Sequence, residues 1–123
     1  MQEIVFFSHN KFKINEVIKI LQNYNIKILT LYDFPNIVKP EETGKTFKDN
    51  AMIKSTFGFK SFGLPCFADD SGICISALDN KPGIKSKRFQ IENGGLNKAF
   101  KIIIDQTKIK NNYKAFFQSS IAL

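Results

Sequence analysis

The first 31 residues alternate between apolar and polar blocks, and this pattern predicts a strand, a helix and a second strand. Residues 3–7 form a nearly continuous apolar run, and the polar Ser8-His9-Asn10 that follows predicts a turn. Residues 26–31 form the next apolar run. Between the two runs, apolar residues recur at the i, i+3, i+4, i+7 spacing of a helical stripe, at Ile14, Val17, Ile18 and Leu21. This order predicts a parallel strand pair joined by a right-handed crossover.

A long loop and a capped helix are predicted next. Two prolines interrupt residues 33–44, which are therefore expected to be a loop. Thr46 followed by Asp49 is a shortened capping box, so a helix is predicted over residues 47–60. The Gly-Leu-Pro of residues 63–65 is expected to stop that segment.

Two short apolar runs flank an acidic segment in the middle of the chain. Residues 66–68 and 73–77 predict a third and a fourth strand, and Asp69-Asp70-Ser71-Gly72 between them predicts a turn. Because the runs are short and a glycine lies between them, a hairpin or a bent strand is expected here rather than another crossover.

The remaining residues predict a further helix and a last strand. Residues 80–83 are predicted to be a second loop. After Asn93-Gly94-Gly95 the helical spacing returns, at Leu96, Ala99, Phe100 and Ile103. A polar, basic connection over residues 108–114 leads to a final strand over residues 115–123. We therefore expect an α/β fold, with helices packed on a mixed twisted sheet, as a single domain over residues 1–123.

The composition is that of a globular protein. Hydrophobic residues make up 43% and charged residues 24% of the 123 residues, which excludes wholesale disorder. The apolar runs are short and residues 1–10 do not resemble a signal peptide, so no membrane span is predicted and the expected location is the cytoplasm. Cys66 and Cys74 form no Cys-x-x-Cys pair, and His9 is the one histidine, so no zinc site is indicated. Free core cysteines are favoured over a disulfide between facing strands.

The net charge of +7 at pH 7, with a pI of about 9.5, favours anionic partners. Nucleotides, nucleic acid and acidic lipid surfaces all satisfy this condition. A nucleic-acid module concentrates its basic residues in a stripe with stacking aromatic residues, and this sequence has no such stripe. Nucleic acid is therefore not the predicted partner.

Asp69 and Asp70 are the first candidates for chemistry. Two adjacent carboxylates at a strand end indicate a cation site or an acid/base pair, because open α/β sheets bind ligands in the crevice beyond the strand ends. Hard oxygen ligands at that place suit Mg²⁺ holding a phosphate. The alternative is an Asx turn, in which one of these aspartates caps its own backbone before the next strand.

Four polar segments are expected to converge at one edge of the sheet. They are residues 8–13, residues 41–44 with Asn50 and Lys54, residues 69–72, and residues 85–88. Together they supply a phosphate turn at a helix N-terminus, carboxylates for a metal and lysines for the remaining phosphate charge, which outlines a nucleotide site. The alternatives are solvated helix lysines at Lys13 and Lys54, Glu16 as a partner for Lys13, and a basic face at Lys85, Lys87 and Arg88.

The same segments match a known family in its order and near its spacing. They are residues 8–16, against the pattern Thr-Gly-Asn-x-x-Lys-x-x-Glu, residues 41–51 with Lys54, Ala68-Asp69-Asp70-Ser71-Gly72, and Ala77-Leu78 followed by residues 82–89. On these motifs the chain resembles the inosine triphosphate pyrophosphatase family over its whole length. Members of that family hydrolyse non-canonical purine nucleoside triphosphates such as ITP, dITP and XTP to the monophosphate and pyrophosphate.

The resemblance implies a reaction and a set of residues. Water would attack the α-phosphorus, with Mg²⁺ as the cofactor that bridges the phosphates. Asp70 would be the catalytic and metal-binding carboxylate, and Glu41 and Asp69 would be further metal ligands. The implied substrate-binding residues are Ser8, His9, Asn10, Lys11, Phe12, Lys13, Lys54, Ser71 and Arg88. His9 stands where the family usually has glycine, and Lys85 stands where an aromatic residue is usual.

The resemblance also implies how the chain relates to complete members of the family. Those proteins continue after the strand that matches residues 115–123 into segments that recognise the base. The chain is therefore expected to be an N-terminal portion of the enzyme, with the family's fold lacking its C-terminal segments. A homodimer is expected for the family. The alternative function is an inactive, truncated remnant without a complete base-recognition site.

Overall fold

The computed structural model describes residues 1–123, in which strands and helices alternate over the first half of the chain. In chain order the elements are β1 (Gln2–Phe6), α1 (Lys11–Leu21), β2 (Ile26–Leu29), α2 (Phe47–Phe62), β3 (Cys66–Ile75), β4 (Lys81–Pro82), α3 (Ser86–Glu92), α4 (Leu96–Ile109) and β5 (Ala115–Ala122). The chain divides into a first unit, Met1–Asp69 with Ser120–Leu123, and a second unit, Asp70–Ser119. The single domain inferred from the sequence stays a prediction. None of the helices is both long and apolar enough to cross a membrane.

The first unit contains the predicted strand, helix and strand. β1 and β2 pair in parallel, with Gln2 opposite Ile26 and Val5 opposite Leu29, and α1 connects them. This confirms the parallel pair. The apolar stripe of α1 is narrower than predicted, because Ile14 is buried whereas Ile18 is exposed.

The core of the first unit forms where β1, β2 and β3 meet α2. Val5, Phe7, Leu29, Cys66 and Ala68 are its buried members. The Phe7 ring is fully buried, and its centroid lies 5.7 Å from that of Phe57 and 6.4 Å from that of Phe62, both on α2. These aromatic contacts fix α2 against β1.

The helix α2 has both of the ends that the sequence predicts. The Thr46 hydroxyl accepts a hydrogen bond from the Asp49 backbone nitrogen at 3.1 Å, which satisfies one of the unpaired donors of the first turn. The last helical residue, Phe62, lies two residues beyond the predicted end. Gly63 follows it in the left-handed conformation, with φ 65°, and ends the helix.

Residues 66–75 form one strand, so the predicted turn and the hairpin alternative are wrong, and the alternative of a single strand through this segment is the one observed. In the first unit the strand pairs in parallel with β1, Val5 opposite Cys66. In the second unit it pairs antiparallel with β4, Cys74 opposite Pro82. With strand partners near both ends, the backbone of residues 69–72 stays extended although its residue types favour a turn. The Asx-turn alternative fails for the same reason.

The second unit adds a short antiparallel strand and two helices. Residues 80–83 were expected to be a loop, but Lys81–Pro82 forms β4 because its backbone pairs with the end of β3. The helix α4 follows Gly94 and Gly95 as predicted; Ala99 on it is buried. β5 is the expected final strand and pairs with β3. Parallel and antiparallel pairs in one set of strands confirm the α/β fold with a mixed sheet.

Candidate active site

The turn after β1 presents polar side chains at the start of α1. The Ser8 side-chain oxygen is buried and accepts a hydrogen bond from the Asn10 backbone nitrogen at 3.1 Å. The Asn10 side-chain oxygen accepts from the backbone nitrogens of Phe12 at 3.0 Å and Lys13 at 3.2 Å. Two of the helix's first N–H groups are thereby satisfied, so an anion at this turn would depend more on side chains than the sequence suggested. Lys11 and Phe12 are exposed.

The strand register places Asp69 beside this turn. Phe6 of β1 lies opposite Phe67 of β3, and the Phe7 backbone nitrogen donates to the Phe67 carbonyl oxygen at 2.9 Å. Two residues beyond that pair, each segment has a polar residue: Ser8 follows β1, and Asp69 lies on β3. In the first unit, the predicted convergence is therefore present between the turn and Asp69.

Lys13 and Asp69 form an ion pair across this junction. The Lys13 Nζ lies 2.7 Å from Asp69 Oδ2, and the two side chains are 31% and 14% exposed. Such a short charge-assisted hydrogen bond is stronger than one between neutral groups. The partner of Lys13 suggested by the sequence was Glu16, which is exposed on α1. Lys13, predicted to bind substrate, and Asp69, predicted to bind metal, are thus in direct contact with each other.

A second ion pair joins the loop before α2 to that helix. The Lys54 Nζ lies 3.1 Å from Glu42 Oε1, with the Lys54 side chain 13% and the Glu42 side chain 30% exposed. The buried Asn50 side-chain oxygen accepts a hydrogen bond from the Gly44 backbone nitrogen at 2.8 Å. A Cβ at Gly44 would lie 2.5 Å from that Asn50 oxygen, so glycine is required there. Residues 42–44 are therefore fixed on α2.

His9 connects the turn to the same loop. Its ring lies edge-on to Phe7, with centroids 5.6 Å apart, and it is hydrogen bonded to the backbone of Ile37. Partial burial lowers the pKa of His9, and the positive charges of Lys39 and Lys54 lower it further. Lys54 is therefore close enough to the turn for its charge to act there. The backbone of His9 is not in the left-handed region, so a glycine is not needed at this position for its conformation.

Asp70 lies on the opposite face of β3 from Asp69, because successive residues of a strand point to opposite faces. It is 8% exposed, which is rare for a carboxylate, and it shares its face with the buried Ala68 and Cys74. In the second unit, Ser71 is half-buried on β3 and Arg88 is exposed on α3.

The three predicted metal ligands are all carboxylates: Asp69 in its ion pair, Asp70 buried, and Glu41 exposed in the loop. No group of three or more His, Cys, Asp or Glu side chains is arranged to hold a metal ion. Mg²⁺ is usually held by one or two carboxylates together with water and substrate phosphates. The buried carboxylate of Asp70 has the hard oxygen chemistry that such a site uses.

The sequence analysis placed Glu42 and Asn50 in the polar segments of this region but did not predict their contacts. Glu41 rather than Glu42 was taken as a metal ligand, and no hydrogen-bond partner was predicted for Asn50. The contact of Glu42 with Lys54 spans twelve residues between a loop and a helix, and no local pattern predicts it. For Asn50 there was a signal, since an amide on the apolar side of a helix near a glycine-ended loop needs a hydrogen-bond partner.

The chain is similar to known proteins in sequence and in structure. The Ham1 family model matches residues 4–123. A dITP/XTP pyrophosphatase from Leptospira interrogans is 41% identical over 125 residues, which cover 98% of this chain and 61% of that protein. One from Geobacter sulfurreducens is 43% identical over 93 residues, 76% of this chain and 47% of that protein.

Solved structures agree with the sequence comparisons. A HAM1 protein from Coxiella burnetii superimposes with a TM-score of 0.86 at 35% identity, covering 99% of this chain and 62% of that one. A nucleoside-triphosphatase / dITP/XTP pyrophosphatase from Mycobacterium abscessus gives a TM-score of 0.78 at 32% identity, covering 98% and 64%. The chain thus spans between about half and two thirds of the length of these relatives. The matched family model, the shared fold and the motifs at residues 8–16 and 68–72 agree, and the chain belongs to the Ham1 family.

Proposed function

We propose that this chain carries the phosphate-binding and catalytic residues of a nucleoside triphosphate pyrophosphatase. The observation that carries the proposal is the 2.7 Å contact of Lys13 with Asp69, which joins the turn after β1 to the acidic segment of β3. The substrate class, non-canonical purine nucleoside triphosphates such as dITP and XTP, is taken from the names of the relatives. The products would be the nucleoside monophosphate and pyrophosphate.

The phosphates would be bound by the side chains around the turn. The Ser8 hydroxyl and the side-chain nitrogen of Asn10 can donate hydrogen bonds there. Lys13 and Lys54 supply positive charge from α1 and α2. Lysine ammonium groups stabilise the charge that develops on the leaving pyrophosphate. His9, Lys11 and Phe12 belong to the same turn, and Ser71 and Arg88 complete the proposed set of substrate contacts.

Asp70 is the proposed catalytic carboxylate, because it is buried and next to the ion-paired Asp69. Asp70, Glu41 and Asp69 are the candidate Mg²⁺ ligands that the resemblance to the family gives; Asp69 lies on the other face of β3 from Asp70 and is paired with Lys13. When bound, Mg²⁺ lowers the pKa of a coordinated water and neutralises phosphate charge. Asp70 would then orient the water and accept its proton.

The proposal includes a cytoplasmic location, as the sequence predicts, and a homodimer, as the resemblance to the family implies. Molar mass measured in solution by light scattering tests the second of these. A monomer at micromolar concentration would contradict the homodimer.

The function is tested by pyrophosphate release from ITP, XTP, dITP, ATP and GTP, with and without Mg²⁺. We expect Mg²⁺-dependent release that favours ITP, dITP and XTP over ATP and GTP. The Asp70→Asn variant, with an unchanged circular dichroism spectrum, is the control for contaminating activity. No release from a folded chain would contradict the proposal and favour the alternative, a chain without catalytic activity.

A further inference from the structure

Both lysines of the proposed phosphate site are already bound to acidic side chains. Lys13 is held by Asp69 at 2.7 Å and Lys54 by Glu42 at 3.1 Å. In each pair one member is largely buried: Asp69, 14% exposed, in the first and Lys54, 13% exposed, in the second. Salt screens partly buried ion pairs less than fully exposed ones, so we expect both contacts to persist at physiological salt.

These acids compete for the same atoms that a phosphate would use. A lysine offers one compact ammonium charge with three donors, and a carboxylate at 2.7–3.1 Å takes part of that capacity. Phosphate oxygens are equally strong, charged acceptors. Binding of a phosphate therefore exchanges one anionic partner of the lysine for another.

The two pairs act on one region. The Phe7 ring, directly before the turn that leads to Lys13, lies 5.7 Å from the Phe57 ring, which is one helical turn after Lys54 on α2. The charges of Lys54 and Glu42 also act on the pKa of His9 in the same turn. A ligand with several phosphates has charged oxygens for both lysines at once, whereas a ligand with one phosphate has fewer.

We infer that Asp69 and Glu42 are counter-ions which a polyphosphate must displace from Lys13 and Lys54, and that they weaken the binding of short phosphates more than that of long ones. The inference rests on the proposed function, because it takes the two lysines as the phosphate-binding groups. Glu42 is then the counter-ion of Lys54, whereas its neighbour Glu41 is a candidate metal ligand. Asp69 is the counter-ion of Lys13, a role that does not require a metal.

The test measures binding of inorganic tripolyphosphate, pyrophosphate and phosphate by calorimetry, in EDTA and 0.1 M salt. EDTA removes divalent metal ions, so a change in affinity in these variants does not come from the loss of a metal ligand. We expect Asp69→Asn and Glu42→Gln each to bind tripolyphosphate about three- to fivefold more tightly, the size expected for one partly exposed ion pair. Phosphate should gain more than tripolyphosphate, so that the preference for the longer ligand decreases. Lys13→Met and Lys54→Met should weaken binding of all three.

Glu16→Gln is the matched control, because it removes one negative charge from an exposed position on α1, three residues from Lys13. We expect less than about a twofold change in that variant, since an exposed charge is screened by salt. Thermal melting shows which variants are folded. If Asp69→Asn does not fold, Glu42→Gln in the loop carries the test.

The outcomes separate the inference from the proposed function. Unchanged or weaker tripolyphosphate binding in the folded acid variants overturns the inference and leaves the phosphate site in place. An equal gain for phosphate and tripolyphosphate overturns the claim about ligand length. Binding by neither the wild type nor any variant overturns the phosphate site itself, and the inference with it.

Discussion

The two faces of β3 give two neighbouring aspartates different surroundings. On one face, Asp69 is partly exposed and paired with Lys13 at 2.7 Å. On the other face, Asp70 is buried together with Cys66, Ala68 and the backbone of Gly72. The alternation of side chains along the strand is enough to produce this difference. It teaches that one acidic motif can serve two purposes, charge balance for a lysine on one face and a buried carboxylate on the other.

Among the measurements that compare the two faces of β3, we expect the largest change in the rate of pyrophosphate release of an Asp70 variant. Replacing Asp70 by asparagine should lower the rate of pyrophosphate release by about 10³-fold, because the proposed general base and proposed metal ligand are one residue. Asp69→Asn should lower the rate by less than about tenfold, since its contact is an ion pair with Lys13. The two rates are measured under saturating substrate. Equal losses in the two variants would contradict the division of labour.

The next effect concerns the thiol on the buried face. Burial raises the pKa of Cys66 to about 11, so little thiolate is present at pH 8. We expect iodoacetamide to label this thiol roughly 10²-fold more slowly in the native protein than in urea. Mass spectrometry of peptides after timed labelling measures both rates. Similar rates in the two conditions would show that this face is open to solvent.

A smaller effect is expected from filling the space beside Gly72. A Cβ there would overlap the Gly83 carbonyl oxygen and the Ser86 hydroxyl, which is hydrogen bonded to the Ile73 backbone nitrogen at 3.1 Å. Gly72→Ala should therefore lower the free energy of unfolding by about 1–3 kcal/mol. Ile73→Val, on the opposite face, is the control and should cost less than about 1 kcal/mol. Urea denaturation measures both, and equal costs would mean that the faces are packed alike.

The smallest effect is expected at His9, in the turn beside Asp69. Its pKa is lowered by burial and by Lys39 and Lys54, so the folded state favours the neutral ring. The folded state then binds fewer protons than the unfolded state, and stability should fall as the pH drops below 6.5. His9→Gln should remove this decrease, as measured by urea unfolding at pH 7.5 and 5.5. An identical decrease in the variant would assign it to other groups.

Local patterns were sufficient for most helices and for the first strands. The helical spacing from Ile14, the Thr46 cap and the Gly63 stop are interactions within a few residues, and the structure contains each of them. The segment over residues 69–72 was predicted wrongly because its residue types favour a turn. Pairing with β1 and β4, which come from distant parts of the sequence, keeps it extended.

In the candidate site too, features defined by a few neighbouring residues were predicted, and contacts between distant residues were not. The motifs located the turn after β1 and the acidic pair, but they assigned Lys13 and Asp69 separate partners. These residues are 56 positions apart, and only the parallel register of β1 with β3 brings them together. The pairing of Glu42 with Lys54 depends in the same way on how the loop packs on α2.

The continuity of β3 through Asp69 and Asp70 has a consequence for catalysis. Carboxylates on a turn can shift when charge moves during a reaction, and that relaxation adds to the barrier. Carboxylates on a strand that is paired with other strands near both of its ends have less freedom to shift, so the reorganisation energy is smaller. In this chain the acidic pair is therefore in place before any ligand arrives.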